Sequence, residues 1–417
     1  MRVAILDTNY TDQKFHGLAA SWLRWEAERA SVAIVPAEIA DVVLMTVSSQ
    51  QGLVACRSAR KTIPRGVPVI LGGGGAWAPA VFCGLCDMVC VGEGQRFIRT
   101  LFSDGIDAAK ALPECWLYDN QREVIPGTSF PWDCPPLRHP DGTVRVFGAR
   151  GCRRKCLFCQ TGWEQKYQQN PNPDLIRSQI KSLKKSGCKV AVITNDGAAD
   201  DYSGALGQQE FVSVTMEKAS DMPLSREITK SIRIGVEGVS ERLRKAVGKP
   251  VPSAELAKLT IRAWRAGVGV RWFFIAGLPG ELESDWVELR QLIDAVRHEP
   301  KGVVMLNFHA FIPQPATPLC VLPLRDEYWP WFEEFRRWFF HGPGFTRRVQ
   351  IVAPAQYKGR MERAKESMAA TEEELRRGWW ENDNINWRVK YLLSPTGLRK
   401  MARRWETLTG KKARLNA

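Results

Sequence analysis

The sequence predicts an α/β protein: an N-terminal Rossmann-like parallel sheet, then a partial (β/α)6 barrel, then a helical, basic C-terminal region. Two observations predict this. Short continuous runs of Val, Ile and Leu recur through the first hundred residues with helical stretches between them, as in parallel strands covered on both faces. A second series of strand–helix alternations begins at Thr143. The length of 417 residues fits two or three domains at roughly 150 residues each.

In the first unit, set at residues 1–105, strands are expected at residues 3–6, 31–35, 42–47, 69–71 and 88–91, with a helix over 17–29. Residues 106–141, rich in proline and aspartate in their second half, read as a connector. The barrel is set at residues 142–324. Its strands are expected at 144–148, 189–194, 211–215, 231–237, 268–276 and 303–310. Amphipathic helices over 174–186, 253–266 and 284–297 supply crossovers. In such barrels chemistry gathers at the C-terminal ends of the strands. Residues 325–417 read as helical and basic, with Gly342-Pro343-Gly344 as a break.

Apolar residues at 44% and charged residues at 25% are ordinary for a globular protein and too apolar for a disordered one. No run approaches the roughly 20 apolar residues that cross a bilayer, and the first residues lack a signal-peptide core. A cytoplasmic location (the host's cytoplasm for a virus-encoded protein) and no membrane partner are expected. The 59 Lys and Arg against 45 Asp and Glu leave a net charge of +14. From Trp331 onward, 19 basic residues face 10 acidic ones, and six of the 16 tryptophans lie there. Cations interleaved with rings suit a polyanion, although a solvated helical face has the same composition. Eleven cysteines make an odd count, so local spacing is a better guide than a disulfide framework.

The most informative segment is Gly151-Cys152-Arg153-Arg154-Lys155-Cys156-Leu157-Phe158-Cys159-Gln160. Three thiols in C-x3-C-x2-C spacing follow the first barrel strand. So short a loop can give one thiolate to each of three irons of a cluster and leave a fourth iron open. The neighbouring Arg153, Arg154 and Lys155 would favour thiolates and offset cluster charge. Structural zinc would need four protein ligands, and only Cys134 and His139 lie upstream, across a proline-rich link.

With this triplet the sequence resembles the radical S-adenosylmethionine (radical SAM) superfamily, and the barrel that family's type. Four further segments add to the resemblance. Phe158 matches an aromatic beside the adenine. Thr194-Asn195-Asp196-Gly197 matches polar contacts to SAM at the end of strand two. The segment 234–243 is similar to the strand-four motif in which a Glu and a Ser, here Glu237 and Ser240, face the cofactor. The segment 274–281, with Gly277, resembles the strand-five motif, and 311–319 the turn after strand six. Each taken singly has a plain reading, as a paired carboxylate or a Gly/Pro turn. The resemblance implies a [4Fe-4S] cluster on Cys152, Cys156 and Cys159, with SAM on the open iron. It implies reductive cleavage of SAM to methionine and a 5′-deoxyadenosyl radical that takes a substrate hydrogen atom, with flavodoxin or ferredoxin as electron donor. No general base is assigned.

The glycine run 72–75 and the segment 87–95 resemble the cobalamin-binding-type domain that precedes many radical SAM barrels. The family's Asp-x-His-x-x-Gly motif is absent, and His16-Gly17 has the right region without the spacing. The expectation is an inherited scaffold that has lost or weakened its cobalamin. Cys83, Cys86 and Cys90 raise a second cluster, but Cys90 falls in an apolar strand, where cysteine packs as a small hydrophobe.

Three functions are carried forward. The first is a radical SAM enzyme isomerising a nucleobase adduct in nucleic acid, such as glycyl-thymidine to its carbon-linked isomer. It rests on the compact N-terminal domain, on the basic, Trp-rich tail and on likeness to virus-encoded enzymes of thymidine hypermodification in DNA. The second is a cobalamin-dependent radical SAM methyltransferase on a small molecule or peptide, with a tRNA methylthiotransferase as a lesser variant. The third is a non-catalytic iron–sulfur protein that binds nucleic acid.

Overall fold

The computed structural model describes residues 1–8, 18–48, 52–77, 79–82, 84–117, 124–139, 142–164, 167–193, 202–299, 302–312, 314, 317, 319, 329–341 and 349–352. The first sheet contains β1 (Arg2–Asp7), β2 (Ala33–Ile34), β3 (Val42–Thr46), β4 (Val69–Gly72), β5 (Met88–Cys90) and β6 (Cys115–Leu117). Their order is β2-β1-β3-β4-β5-β6, parallel except for the β5–β6 pair. Alternate residues feed two cores: Val43 and Met45 pack on one face, Val42 and Leu44 on the other. This two-sided burial is why the strands read as unbroken apolar runs.

A three-stranded sheet follows, made of β7 (Leu137–Arg138), β8 (Val144–Phe147) and, past the short antiparallel pair β9 (Ala149–Arg150) and β10 (Gln168–Gln169), β11 (Val190–Ile193). A five-stranded parallel sheet completes the barrel: β12 (Val212–Val214), β13 (Ser231–Glu237), β14 (Gly269–Ala276), β15 (Val304–Ala310) and β16 (Val349–Val352). The six expected barrel strands are therefore present but divided between two sheets, with no ladder joining β11 to β12 among the described residues. The seventh, β16, lies in a region read as helical. Its four residues are a short β-branched run inside a stretch judged by its charge.

Buried residues of β13, β14 and β15 pack against helices Ser253–Arg265 and Glu283–Arg297. The helix Trp329–His341 joins the same core. Phe332 and Phe335 sit against Trp286 and Phe308, with ring centroids 5.3 to 5.7 Å apart. Trp331 and Trp338 pack on this core as well. These aromatics of the basic region are thus structural, while the other four tail tryptophans lie outside the described residues. Among the described residues no helix is long and apolar enough to cross a membrane.

Candidate cluster site and adjoining cleft

The cysteine loop starts where β9 ends. Gly151 takes φ +71°, a left-handed turn that a side chain would strain. Cys152 and Cys159 are half-buried, Cys156 is buried, and none of the three is in a disulfide. Several contacts fix the loop. The Leu157 N–H donates to Val247 O at 2.9 Å, the Cys159 N–H to Cys156 O at 3.2 Å, and Trp163 Nε1 to Cys156 O at 2.8 Å. The Arg154 N–H points at Cys152 Sγ from 3.4 Å. A Cβ on Gly162 would lie 2.1 Å from Arg154 O, so only glycine lets the helix Thr161–Glu164 fold back on the loop.

The three loop cations are more committed than expected. Arg154 pairs with Glu217, Arg153 lies over Tyr167 at 4.2 Å, and Lys155 donates to Gly162 O while covering the Trp163 ring. Lys155 still stands near enough to Cys152 to feel its charge. The cation beside Cys156 is Lys249, which sequence spacing did not reveal; burial pushes the Cys156 thiol up to about 11 and Lys249 opposes that.

Glu237 closes β13 at φ +72°, just past a register shift between Gly235 and Glu237. For a residue with a side chain this backbone is strained, a feature that gathers at functional sites. Its carboxylate accepts from Lys249 Nζ at 2.6 Å, with both side chains mostly buried. A Cβ on Gly235 would fall 2.3 Å from Glu237 Oε1, so that glycine leaves room for the pair. Phe158 is half-buried and packs on the barrel core.

Two residues expected to face the cofactor also have partners within the protein. Ser240 is fully buried. It caps the helix Glu241–Ala246, accepting from the Leu243 N–H and donating to Asp285 Oδ1 at 2.6 Å, so its one hydroxyl proton is committed within the protein. Gly277 turns the chain after β14 at φ +82°, and its N–H donates to Glu281 Oε2 at 2.9 Å. Asn195 and Asp196 lie outside the described residues, as do His16 and Cys83. Cys86 and Cys90, the other members of the second triplet, are buried, and burial raises the Cys90 thiol well above its ordinary value.

No three His, Cys, Asp or Glu side chains among the described residues are arranged to hold a single metal ion. A cluster asks something different, since each thiolate binds its own iron. Three non-disulfide cysteines on one glycine-hinged loop, one of them receiving an N–H bond at sulfur, fit that donor set.

An open cleft enclosing about 180 Å³ adjoins the loop, at the C-terminal edge of the first sheet. Gly72 at the end of β4 with Gly73 and Gly74 after it, Gly92 and Gly94 after β5, and the rings of Trp22, Trp77 and Phe130 line it. The glycines also serve packing: a Cβ on Gly73 would meet Val47 O at 2.5 Å and one on Gly74 would meet Ser48 O at 2.5 Å. The cleft and the cysteine loop share their tethers. Arg150, just before the loop, pairs with Glu93 at 2.7 Å and lies over Phe130. Gln160, just after it, donates to Gly74 O at 2.6 Å.

No protein-family profile matches the chain. Among curated proteins it is similar to the tRNA-2-methylthio-N(6)-dimethylallyladenosine synthase of Nitrosomonas eutropha, 22% identical over 287 residues, covering 59% of this chain and 62% of that protein. It is also similar to the ribosomal protein uS12 methylthiotransferase RimO of Chlorobium phaeobacteroides, 23% identical over 178 residues, covering 37% of this chain and 41% of that one. The chain thus spans less than two thirds of these relatives. Among solved structures it is similar to the radical SAM methyltransferase TsrM from Kitasatospora setae with cobalamin and a [4Fe-4S] cluster bound. The TM-score is 0.60 at 13% identity, over 89% of this chain and 99% of that one. The cobalamin-dependent radical enzyme OxsB with aqua-cobalamin gives 0.50 at 14% identity, over 82% and 55%. The chain belongs to the radical SAM superfamily. Membership implies a [4Fe-4S] cluster and SAM as its cofactors. In radical SAM terms, Cys152, Cys156 and Cys159 are the residues that would hold the cluster, with Glu237 and Lys249 beside it.

Proposed function

We propose that the chain is a cobalamin-dependent radical SAM methyltransferase acting on a small molecule or peptide. The observation that carries this reading is the cleft, walled by the first sheet's glycine turns and tethered at Arg150 and Gln160 to both ends of the cysteine loop. This supports the cobalamin alternative above the expectation of a scaffold that had lost it. A corrinoid bound there would supply methyl-transfer chemistry next to the cluster. The chain's own part is to hold the cluster on three thiolates, to present backbone and rings to a flat ligand, and to exclude water with Trp22, Trp77 and Phe130. A low-potential donor such as flavodoxin or ferredoxin must supply electrons. The DNA isomerase reading leaned on the basic tail, of which the described helix Trp329–His341 packs into the core while most of the tail's cations lie outside the described residues.

Reconstitution with hydroxocobalamin, iron and sulfide tests the proposal. Retention of about one corrinoid per chain after desalting, with labelled methyl from SAM reaching an acceptor, is expected. No retained corrinoid, or 5′-deoxyadenosine formation with isomerised glycyl-thymidine in DNA, would overturn it.

A further inference from the structure

Alternate side chains on β13, β14 and β15 pack on the helices, and the others stay half-buried or exposed on the concave barrel face. Two arginines stand on that concave face. Arg233 of β13 and Arg271 of β14 are register partners, side by side across one ladder. Ser213 of β12 flanks Arg233, and Met305 of β15 flanks Arg271, so the row carries no acid. Like charges directly opposite on neighbouring strands destabilise a sheet.

Their surroundings supply a ring but no acid. The Arg233 guanidinium lies 3.1 Å over the Phe211 ring, and its Nε is buried without a hydrogen-bond partner. Burial and the charge of Arg271 both push Arg233 below its ordinary value. Among the described residues neither arginine makes an ion pair, although most other arginines near the barrel do. A half-buried guanidinium without an acceptor is costly, and its fork of N–H groups matches a carboxylate or phosphate.

We infer that Arg233 and Arg271 together hold the oxyanion of the substrate, a carboxylate or phosphate carried on an extended arm. Glu237, level with the cysteine loop, lies four residues further along β13, or about 13 Å at strand rise. The bound molecule is therefore elongated, with its charge at the floor of the barrel and its reacting end at the strand ends. This rests on the proposed enzyme function, and takes the concave barrel face as its substrate chamber.

The test is thermal unfolding of the full chain, with its cluster loaded, in inorganic phosphate, in glutarate and in chloride at one ionic strength. A ligand that binds only the folded state raises Tm. The wild type should gain several degrees in phosphate or glutarate over chloride. The Arg233→Gln/Arg271→Gln variant should lose that extra gain, and the double Lys variant should keep part of it. Whichever of phosphate and glutarate acts names the source. General salt effects act on all variants alike. Iron content checks that each variant folds, and Arg271→Met, which retains the stem's packing, serves as a second variant. An equal anion response in wild type and double Gln variant overturns the inference. Corrinoid retention by the same preparations is scored separately, so its loss counts only against the methyltransferase reading.

Discussion

Gly235 is a glycine because the Glu237–Lys249 pair occupies the place of its side chain. Gly235→Ala should push the pair apart and weaken SAM binding about tenfold, roughly the effect of 1.4 kcal/mol, as read by equilibrium dialysis. Lys249→Met, which leaves the carboxylate mostly buried and alone, should cost about 3 kcal/mol in urea unfolding. Replacing Cys152, Cys156 and Cys159 together with alanine should bring iron per chain close to zero after reconstitution. Iron that remained would point to the Cys83, Cys86 and Cys90 set. Glu281 gives a pH signature. Burial pushes its carboxyl up to about 8, against three N–H donors from Trp286, Gly277 and Leu278 that favour the ionised form. The folded chain then binds more protons than the unfolded one between the ordinary carboxyl value and about 8. This group's contribution is complete in acid below that window and is lost as pH rises through it. Glu281→Gln should flatten the stability profile over that range. None of these pairings was legible in the sequence. Lys249 meets Glu237 only because the chain turns back through a helix, and the positive φ of Glu237 belongs to a bulge no composition announces.

At the scale of elements, the strands were legible because two-sided burial leaves continuous apolar runs, and the cysteine loop because its ligands are local in sequence. Ser240 has a second role that its spacing also announces: a serine before an acidic helix start is a good cap. Ser240→Ala should cost about 1 to 2 kcal/mol by removing the cap and leaving Asp285 one donor short. The inward arginines were visible as charges inside otherwise apolar strands, but their adjacency needed the register of β13 on β14. The glycine turns carry a double signal, for packing against the residues 47–48 segment and for the cleft, and sequence alone cannot divide it.

Across the whole molecule, the helix Trp329–His341 seals the barrel's outer core through Phe332, Phe335 and Phe339. Phe335→Ala should cost about 3 to 5 kcal/mol, measured by chemical unfolding. Ending the chain before Trp329 should expose Trp286 and Phe308 and yield protein that aggregates or binds ANS. Charge counting could not show this, because the packing is carried by aromatic residues that a charge tally ignores. The first sheet and the barrel are joined at the loop itself, through Arg150–Glu93 on one side and Gln160–Gly74 on the other. Grafting a relative's N-terminal half onto this barrel would remove both anchors at once. Such a chimera, with all three sulfurs in place, should load its inorganic centre poorly until Glu93 and the Gly74 turn are transplanted along with it.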